Sequence, residues 1–340
     1  MPIHTVLGPI DPAQLGPTSM HEHVLSDIRI WSRPPADGAA ALEGPIGPRD
    51  MARLRWDALS VPENLVLHDP DVAVGELSAL RAAGGRTVVE LTLDGMGRRL
   101  PELPGISRRS GVNICVGTGW YVEATHPDHI RGADVDTLTE LLLAELRDGI
   151  GNTGIKPAVI GEIGTNHPPT EAEQRVLRAA GRAGAESGAA VNIHVSFRGH
   201  DAPTLVDTLL AEGMPADRII LSHMDEVLDR GYHKDAAQTG AVLEYDTFGT
   251  DFTYGSPEKR SPSDHERLDM VGWLLSEGHG DQLVIGCDIW TQSNLLHNGG
   301  WGYEHLFRRI APAIRAAAGD DQAVLDRILV DTPRRLLDRP

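Results

Sequence analysis

Cysteine is nearly absent, with two in 340 residues. Both Cys115 and Cys287 sit inside apolar, strand-like runs, so they read as small core residues of a reducing compartment and not as a disulfide pair. Neither stands beside a histidine, which argues against a thiol nucleophile. No apolar run reaches the roughly 18 residues that a membrane helix needs. The opening Met1-Pro2-Ile3-His4 lacks a basic stretch followed by an apolar one, so no secretory leader is expected and a cytoplasmic location is. Positive charge is short: 31 Lys and Arg against 49 Asp and Glu give a formal net charge of −18. Nucleic acid and anionic membrane both require a cationic surface, so a small-molecule substrate is the expected partner. A homodimer is the default assembly. Aromatics make up only 4%, and most of them fall in loops.

What is present is alternation. Short β-branched runs recur along the chain: Leu15 to Val24, Thr87 to Leu91, Val112 to Val116, Ala158 to Ile163, Ala190 to His194, Arg218 to His223, Ala241 to Asp246 and Leu283 to Asp288. Helix-like segments separate most of them. Leu138, Leu141, Leu142 and Leu146 share one face at helical spacing, and Thr170 with Glu173 makes a capping box. A long irregular stretch, about 26–69, follows the first strand and is rich in Pro and Gly. Helices at about 303–338 close the chain. Eight strands with crossover segments predict a single (β/α)8 TIM barrel spanning 1–340, with its active site at the C-terminal ends of the strands. A doubly wound sheet would need a glycine-rich phosphate turn after strand one, and none is present.

The barrel reading organises the chemistry. In an extended backbone His21 and His23 project to one side and Glu22 to the other, so two imidazoles can reach one metal ion. With 15 histidines in the chain one such pair is expected by chance, and alone it decides nothing. His23, Glu162, His194, His223 and Asp288, however, all fall at or next to strand ends, on strands one, four, five, six and eight. A barrel enzyme keeps its chemistry on that face.

These residues carry a resemblance over nearly the whole chain. Met20-His21-Glu22-His23, Gly119-Trp120-Tyr121-Val122-Glu123-Ala124-Thr125-His126, Ile160-Gly161-Glu162-Ile163-Gly164, His194, Ser222-His223-Met224-Asp225 and Gly286-Cys287-Asp288 resemble the phosphotriesterase family of the amidohydrolase superfamily, in its phosphotriesterase-related and phosphotriesterase-homology branch. The resemblance implies two divalent metal ions per chain, Zn²⁺ above all, with Mn²⁺, Co²⁺ or Ni²⁺ as substitutes. It implies His21, His23 and Asp288 on one ion, His194 and His223 on the other, and Glu162 bridging them. Better-known members bridge with a carboxylated lysine; here strand four offers Glu162, and Lys156 lies too early to substitute.

Such a centre predicts a binuclear hydrolase that attacks with a shared hydroxide, with Asp288 as the general base and proton shuttle. The family's phosphotriester hydrolases carry an Asp-His pair after strand seven. This chain reads Asp246-Thr247, which turns the expectation from phosphotriesters toward a carboxylic ester, a lactone or an N-acyl amide such as an N-acetylated amino sulfonate. A mononuclear decarboxylase and a metal-stabilised binding barrel are the other classes to separate by metal stoichiometry and turnover. Trp120, Tyr121, Arg198, Trp290, Asn294 and His297 are the loop candidates for substrate contact.

Overall fold

Alternating apolar residues set which way each strand faces. The computed structural model describes residues 2–38, 42, 44–256, 258 and 260–339. Its eight-stranded sheet consists of β1 (Thr18–Glu22), β2 (Thr87–Glu90), β3 (Asn113–Thr118), β4 (Val159–Gly164), β5 (Val191–His194), β6 (Ile219–Ser222), β7 (Val242–Tyr245) and β8 (Leu283–Ile285). Neighbours pair in parallel, in sequence order. The ends of the sheet meet through the Asp288 amide, which donates to the His21 carbonyl at 3.1 Å. Glu22, pointing away from the two histidines, accepts from the amides of Cys287 and Ile289, both at 3.1 Å, and the register of β1 shifts between Ser19 and Glu22. The chain folds as a (β/α)8 barrel.

Helices α1 (Pro70–Ala82), α2 (Leu103–Ser110), α3 (Val135–Asp148), α4 (Glu171–Ser187), α5 (Ala202–Ala211), α6 (Arg230–Gln238), α7 (Asp264–Ser276) and α8 (Ala311–Ala317) surround the sheet. The capping box of α4 forms as expected, with Thr170 and Glu173 satisfying each other's backbone amides. Outward strand residues such as Ile219, Leu221, Leu243 and Ile285 pack under the helices in the main core. Inward residues Met20, Val89, Ala190, Ile220, Val242 and Val284 fill the lumen, which Ile3, Leu15, Leu336 and Leu337 join. Two positions further along, the same inward alternation brings Asn192, Ser222 and Glu244 above this apolar layer. Glu244 Oε2 accepts from Asn192 Nδ2 at 2.6 Å and from Ser222 Oγ at 2.7 Å. A polar floor therefore separates the dry core from the rim.

The long stretch after β1 contains a short helix, Met51–Trp56, and a two-strand ladder of Ser26–Asp27 with Val66–Leu67. Three local differences from the sequence reading have physical reasons. Helix α6 was not anticipated because its sequence is polar and contains Gly231; only Tyr232, His233, Ala236 and Ala237 are buried. An antiparallel pair, Ile3–Thr5 with Gly8–Ile10, precedes the barrel and was also not anticipated. Strand β8 leaves the ladder at Gly286, where a side chain would meet the His21 backbone within about 3 Å. No helix among the described residues is long and apolar enough to cross a membrane.

Candidate metal centre

One step beyond the polar floor, six side chains from five strands converge. Glu162 stands between two imidazole pairs. Its Oε1 lies 2.8 Å from His194 Nδ1 and 2.8 Å from His223 Nε2. Its Oε2 lies 3.5 Å from His21 Nε2 and 4.0 Å from His23 Nε2. Asp288 completes the second group, with Oδ1 3.2 Å from His23 Nε2 and 3.7 Å from His21 Nε2. All six side chains that the sequence singled out as ligands thus meet at one rim of the barrel.

The two groups differ in kind. The 2.8 Å contacts around Glu162 Oε1 are ordinary hydrogen-bond distances. Around His21 and His23 the contacts spread wider, and His21 Nε2 is fully buried without a hydrogen-bond partner. Donor atoms about 2.1 Å from one tetrahedral ion stand about 3.4 Å from each other. The separations in this group fit a ligand set better than a hydrogen-bond network. Imidazole and carboxylate suit divalent first-row metals. His21-His23-Asp288 and Glu162-His194-His223 could each hold a metal ion.

Asp246, just past β7, orients both groups from below. Its carboxylate lies 3.0 Å from His21 Nδ1, which Glu244 Oε2 also faces at 3.3 Å, and accepts from His223 Nδ1 at 2.9 Å; these carboxylates fix each Nε2 lone pair toward the centre. Asp246 also accepts from the His223 backbone amide at 3.1 Å. That bond helps hold His223 at φ +61°, and the His21 carbonyl holds Asp288 at φ +43°. Both are left-handed conformations that side chains other than glycine rarely adopt, found where a structure aims a functional group. His23 Nδ1 is fixed by Thr92 Oγ1 at 3.0 Å. Gly161, at φ +123°, permits the approach of β4 to β5: a Cβ there would lie 2.3 Å from the Asn192 carbonyl oxygen.

Burial works against charge on His21, Glu162, His194, His223 and Asp246, yet mutual attraction wins for all of these but His194. Burial lowers the pKa of His21, but Glu162 and Asp246 lift it well above its ordinary value. His223 is raised in the same way by Asp246 and Glu162. Burial raises Glu162 and Asp246, and the adjoining imidazoles carry both below the usual carboxylate range. For His194 burial prevails and its pKa falls. Without a metal, the carboxylates hold protons on His21 and His223. A dication would take the place of those protons.

Residues 1–337 match the model of the phosphotriesterase family. The chain belongs to that family. It is 39% identical over 342 residues to the N-acetyltaurine hydrolase of Tetraodon nigroviridis, which covers 98% of this chain and 97% of that protein. The crystal structure of a resiniferatoxin-binding protein from Rhodobacter sphaeroides has a TM-score of 0.94 at 33% identity, covering 99% of this chain and 95% of that one. The phosphotriesterase homology protein from Escherichia coli, complexed with phosphate in its active site, has a TM-score of 0.79 at 25% identity, covering 97% and 100%. This member of the phosphotriesterase family is a hydrolase.

The loop residues named as substrate contacts fall in different places. Tyr121 lies against the centre, its hydroxyl 3.3 Å from His194 Nδ1. Trp290 packs with Tyr121, Leu93 and Met96 in a small apolar patch and meets Phe252 edge-on at 5.8 Å. Trp120 is buried in the main core. The Asn294 side chain is engaged at both ends, by Thr291 Oγ1 at 2.7 Å and Thr250 Oγ1 at 3.1 Å. His297 lines a cavity of about 580 Å³ between the long loop and the loop after β8, and none of the six ligand candidates lines it. Arg198 is exposed, with its guanidinium 5.8 Å over the Phe197 ring.

Sequence reasoning missed the groups that support the centre. Asp246 was read only as the place where a relay histidine is lacking, although its position at a strand end is the signal that identified the others. Behind it, Asp225 accepts from the Thr247 amide at 3.0 Å and pairs with fully buried Arg267 at 3.1 Å. An arginine in a helix pattern gives no sign that it faces inward.

Proposed function

We propose that this enzyme hydrolyses N-acyl amides whose amine part bears an anionic group, as in N-acetylated amino sulfonates. The observation that carries the reading is the 39% identity to an N-acetyltaurine hydrolase across almost the full length of both chains. The site's donor chemistry supports a metal-dependent route. His21, His23 and Asp288 would hold one divalent ion and His194 and His223 a second, with Glu162 between the two groups; Zn²⁺ fits, and Mn²⁺, Co²⁺ or Ni²⁺ could replace it. Such ions, when bound, lower the pKa of water enough to supply hydroxide near neutral pH and polarise a carbonyl oxygen.

The chain's own residues account for the rest. Asp246 keeps His21 and His223 in the tautomer that presents Nε2 to the centre. Asp288 Oδ1 is the atom nearest His21 and His23, leaving Oδ2 to accept the proton of the attacking water. The same oxygen returns that proton to the amide nitrogen as the C–N bond breaks, so acid and amine leave with protons balanced. The Tyr121 hydroxyl, beside His194, is placed to donate toward the substrate's acyl oxygen.

The test is turnover of N-acetyltaurine by the chelated full-length protein, before and after addition of Zn²⁺ or Mn²⁺. Chelation should abolish acetate release and metal should restore it. Release indifferent to chelation would overturn the metal-dependent route, and no release under any metal would overturn the amide assignment.

A further inference from the structure

We infer that Trp31 is a positioning residue for the reaction: its indole N–H holds the Tyr121 hydroxyl oxygen, which leaves the hydroxyl hydrogen to point at the substrate's acyl oxygen. The inference rests on the N-acyl amide reading above for the identity of that acyl oxygen. Tyr121 stands directly on the centre. Its hydroxyl lies 3.3 Å from His194 Nδ1 and 3.5 Å from His194 Nε2, and its ring meets that imidazole edge-on with centroids 4.8 Å apart. Trp31 meets the same Tyr121 ring edge-on, with centroids 6.5 Å apart and planes at 86°, and its side chain hydrogen-bonds the phenol. Indole nitrogen is a donor only, so in that bond the phenol oxygen accepts. A single oxygen atom therefore links Trp31 to the imidazole of a ligand candidate.

The long loop after β1 fixes the indole from both sides. Trp31 ends a short 3₁₀ turn, Arg29–Trp31, which closes through the Trp31 amide onto the Ile28 carbonyl at 3.1 Å and the Ser32 amide onto the Arg29 carbonyl at 2.9 Å. Before the turn, Ser26–Asp27 pairs with Val66–Leu67, and Asp27 accepts from Arg29 Nε at 2.9 Å. After it, Arg33 donates to Asp57 at 2.7 Å and to the Tyr254 carbonyl at 2.6 Å. The indole itself is 37% exposed, so these ties, and not burial, bring it to Tyr121. Its effect follows from what surrounds the phenol. The charges of Glu162, Asp288 and Glu226 all act on Tyr121, and a hydroxyl free to rotate would turn its hydrogen toward a carboxylate. A phenol oxygen accepts and donates at once, and a donor settled on one side of it leaves the other side to its own hydrogen. Trp31 thus selects the setting in which the hydroxyl can donate to a carbonyl that becomes an oxyanion, where a fixed donor counts most.

The experiment is a cycle of Trp31→Phe, Tyr121→Phe and the double variant, zinc-loaded, with N-acetyltaurine as substrate. Trp31→Phe keeps an aromatic ring without the N–H, and Tyr121→Phe keeps the ring without the hydroxyl. Tyr121→Phe should lower kcat about 100-fold. Trp31→Phe should lower it about tenfold with KM within about threefold. In the Tyr121→Phe background, Trp31→Phe should change kcat by less than about twofold, because the oxygen it acts through is gone. An unchanged kcat in Trp31→Phe, or the same loss with and without the hydroxyl, would overturn the assignment. A second readout needs no turnover. The indole N–H proton resonance of Trp31, in protein carrying isotope-labelled tryptophan and assigned by its absence from Trp31→Phe, should move upfield in Tyr121→Phe; an unmoved resonance would overturn the assignment. Should the wild type leave N-acetyltaurine uncleaved, the amide reading fails by itself, and the resonance alone decides about Trp31.

Discussion

Replacing Asp246 with asparagine isolates the group that both halves of the centre share. The volume is kept, but one carboxylate oxygen becomes an amide that donates. Asp246 lies 3.0 Å from His21 Nδ1 and accepts from His223 Nδ1 at 2.9 Å; Glu244 Oε2 also faces His21 Nδ1 at 3.3 Å, and an asparagine can accept well from only one of the two imidazoles. The other imidazole then turns or takes the wrong tautomer, and its Nε2 no longer offers a lone pair to the centre. Carboxylates behind metal-bound histidines are typically worth about 10–100-fold in metal affinity, or about 1.4–2.8 kcal/mol. His21 and His223 belong to opposite groups, so the loss should appear at the site whose imidazole is left without its acceptor. Competition with a chromophoric zinc chelator measures it directly, with circular dichroism to establish that the variant is folded. Affinities within threefold of wild type at both sites would refute the role given to Asp246.

Other expectations follow from the same geometry. Arg267→Met leaves Asp225 buried without its counter-charge and should destabilise the protein by about 3–5 kcal/mol in denaturant unfolding; adding Asp225→Asn should recover part of that. Gly161→Ala should displace β4 from the Asn192 backbone and move Glu162, which elemental analysis of the purified variant would register as lost metal. In metal-free protein the raised pKa values of His21 and His223 contribute stability that is fully present below their ordinary value of 6.5. That stability is lost as pH rises through the raised values. The Tm of chelated protein should therefore fall on the alkaline side, and metal-loaded protein, whose imidazoles are neutral ligands, should not share that fall; parallel curves would contradict this.

The barrel was legible because strands buried on both faces must be written in Val, Ile and Leu, and because a βα repeat spaces them regularly. The six ligand candidates could be found for the same reason: a His, Asp or Glu that ends such a run lands at one rim. Asp246, Glu244 and Arg267 were harder to see. Their importance lies in which partner each meets in the closed barrel, Asp246 and Glu244 across the lumen and Arg267 from α7 onto Asp225, and no local pattern encodes such pairing. The long loop after β1 was legible only as a loop, since its Pro and Gly content breaks any period. Helix α6 escaped because its few buried residues write no apolar stripe. The substrate-side residues divided unevenly for a related reason: composition places an aromatic in a loop but does not say whether, like Trp120, it turns into the core or, like Tyr121, onto a ligand.

The account stands on Glu162 joining two imidazole pairs into one centre. Metal content by mass spectrometry, on the wild type and on Glu162→Ala purified in the presence of Zn²⁺, tests that most directly. The account predicts two ions per chain in the wild type and at most one in the variant. One ion or none in the wild type, or two in both proteins, would contradict it.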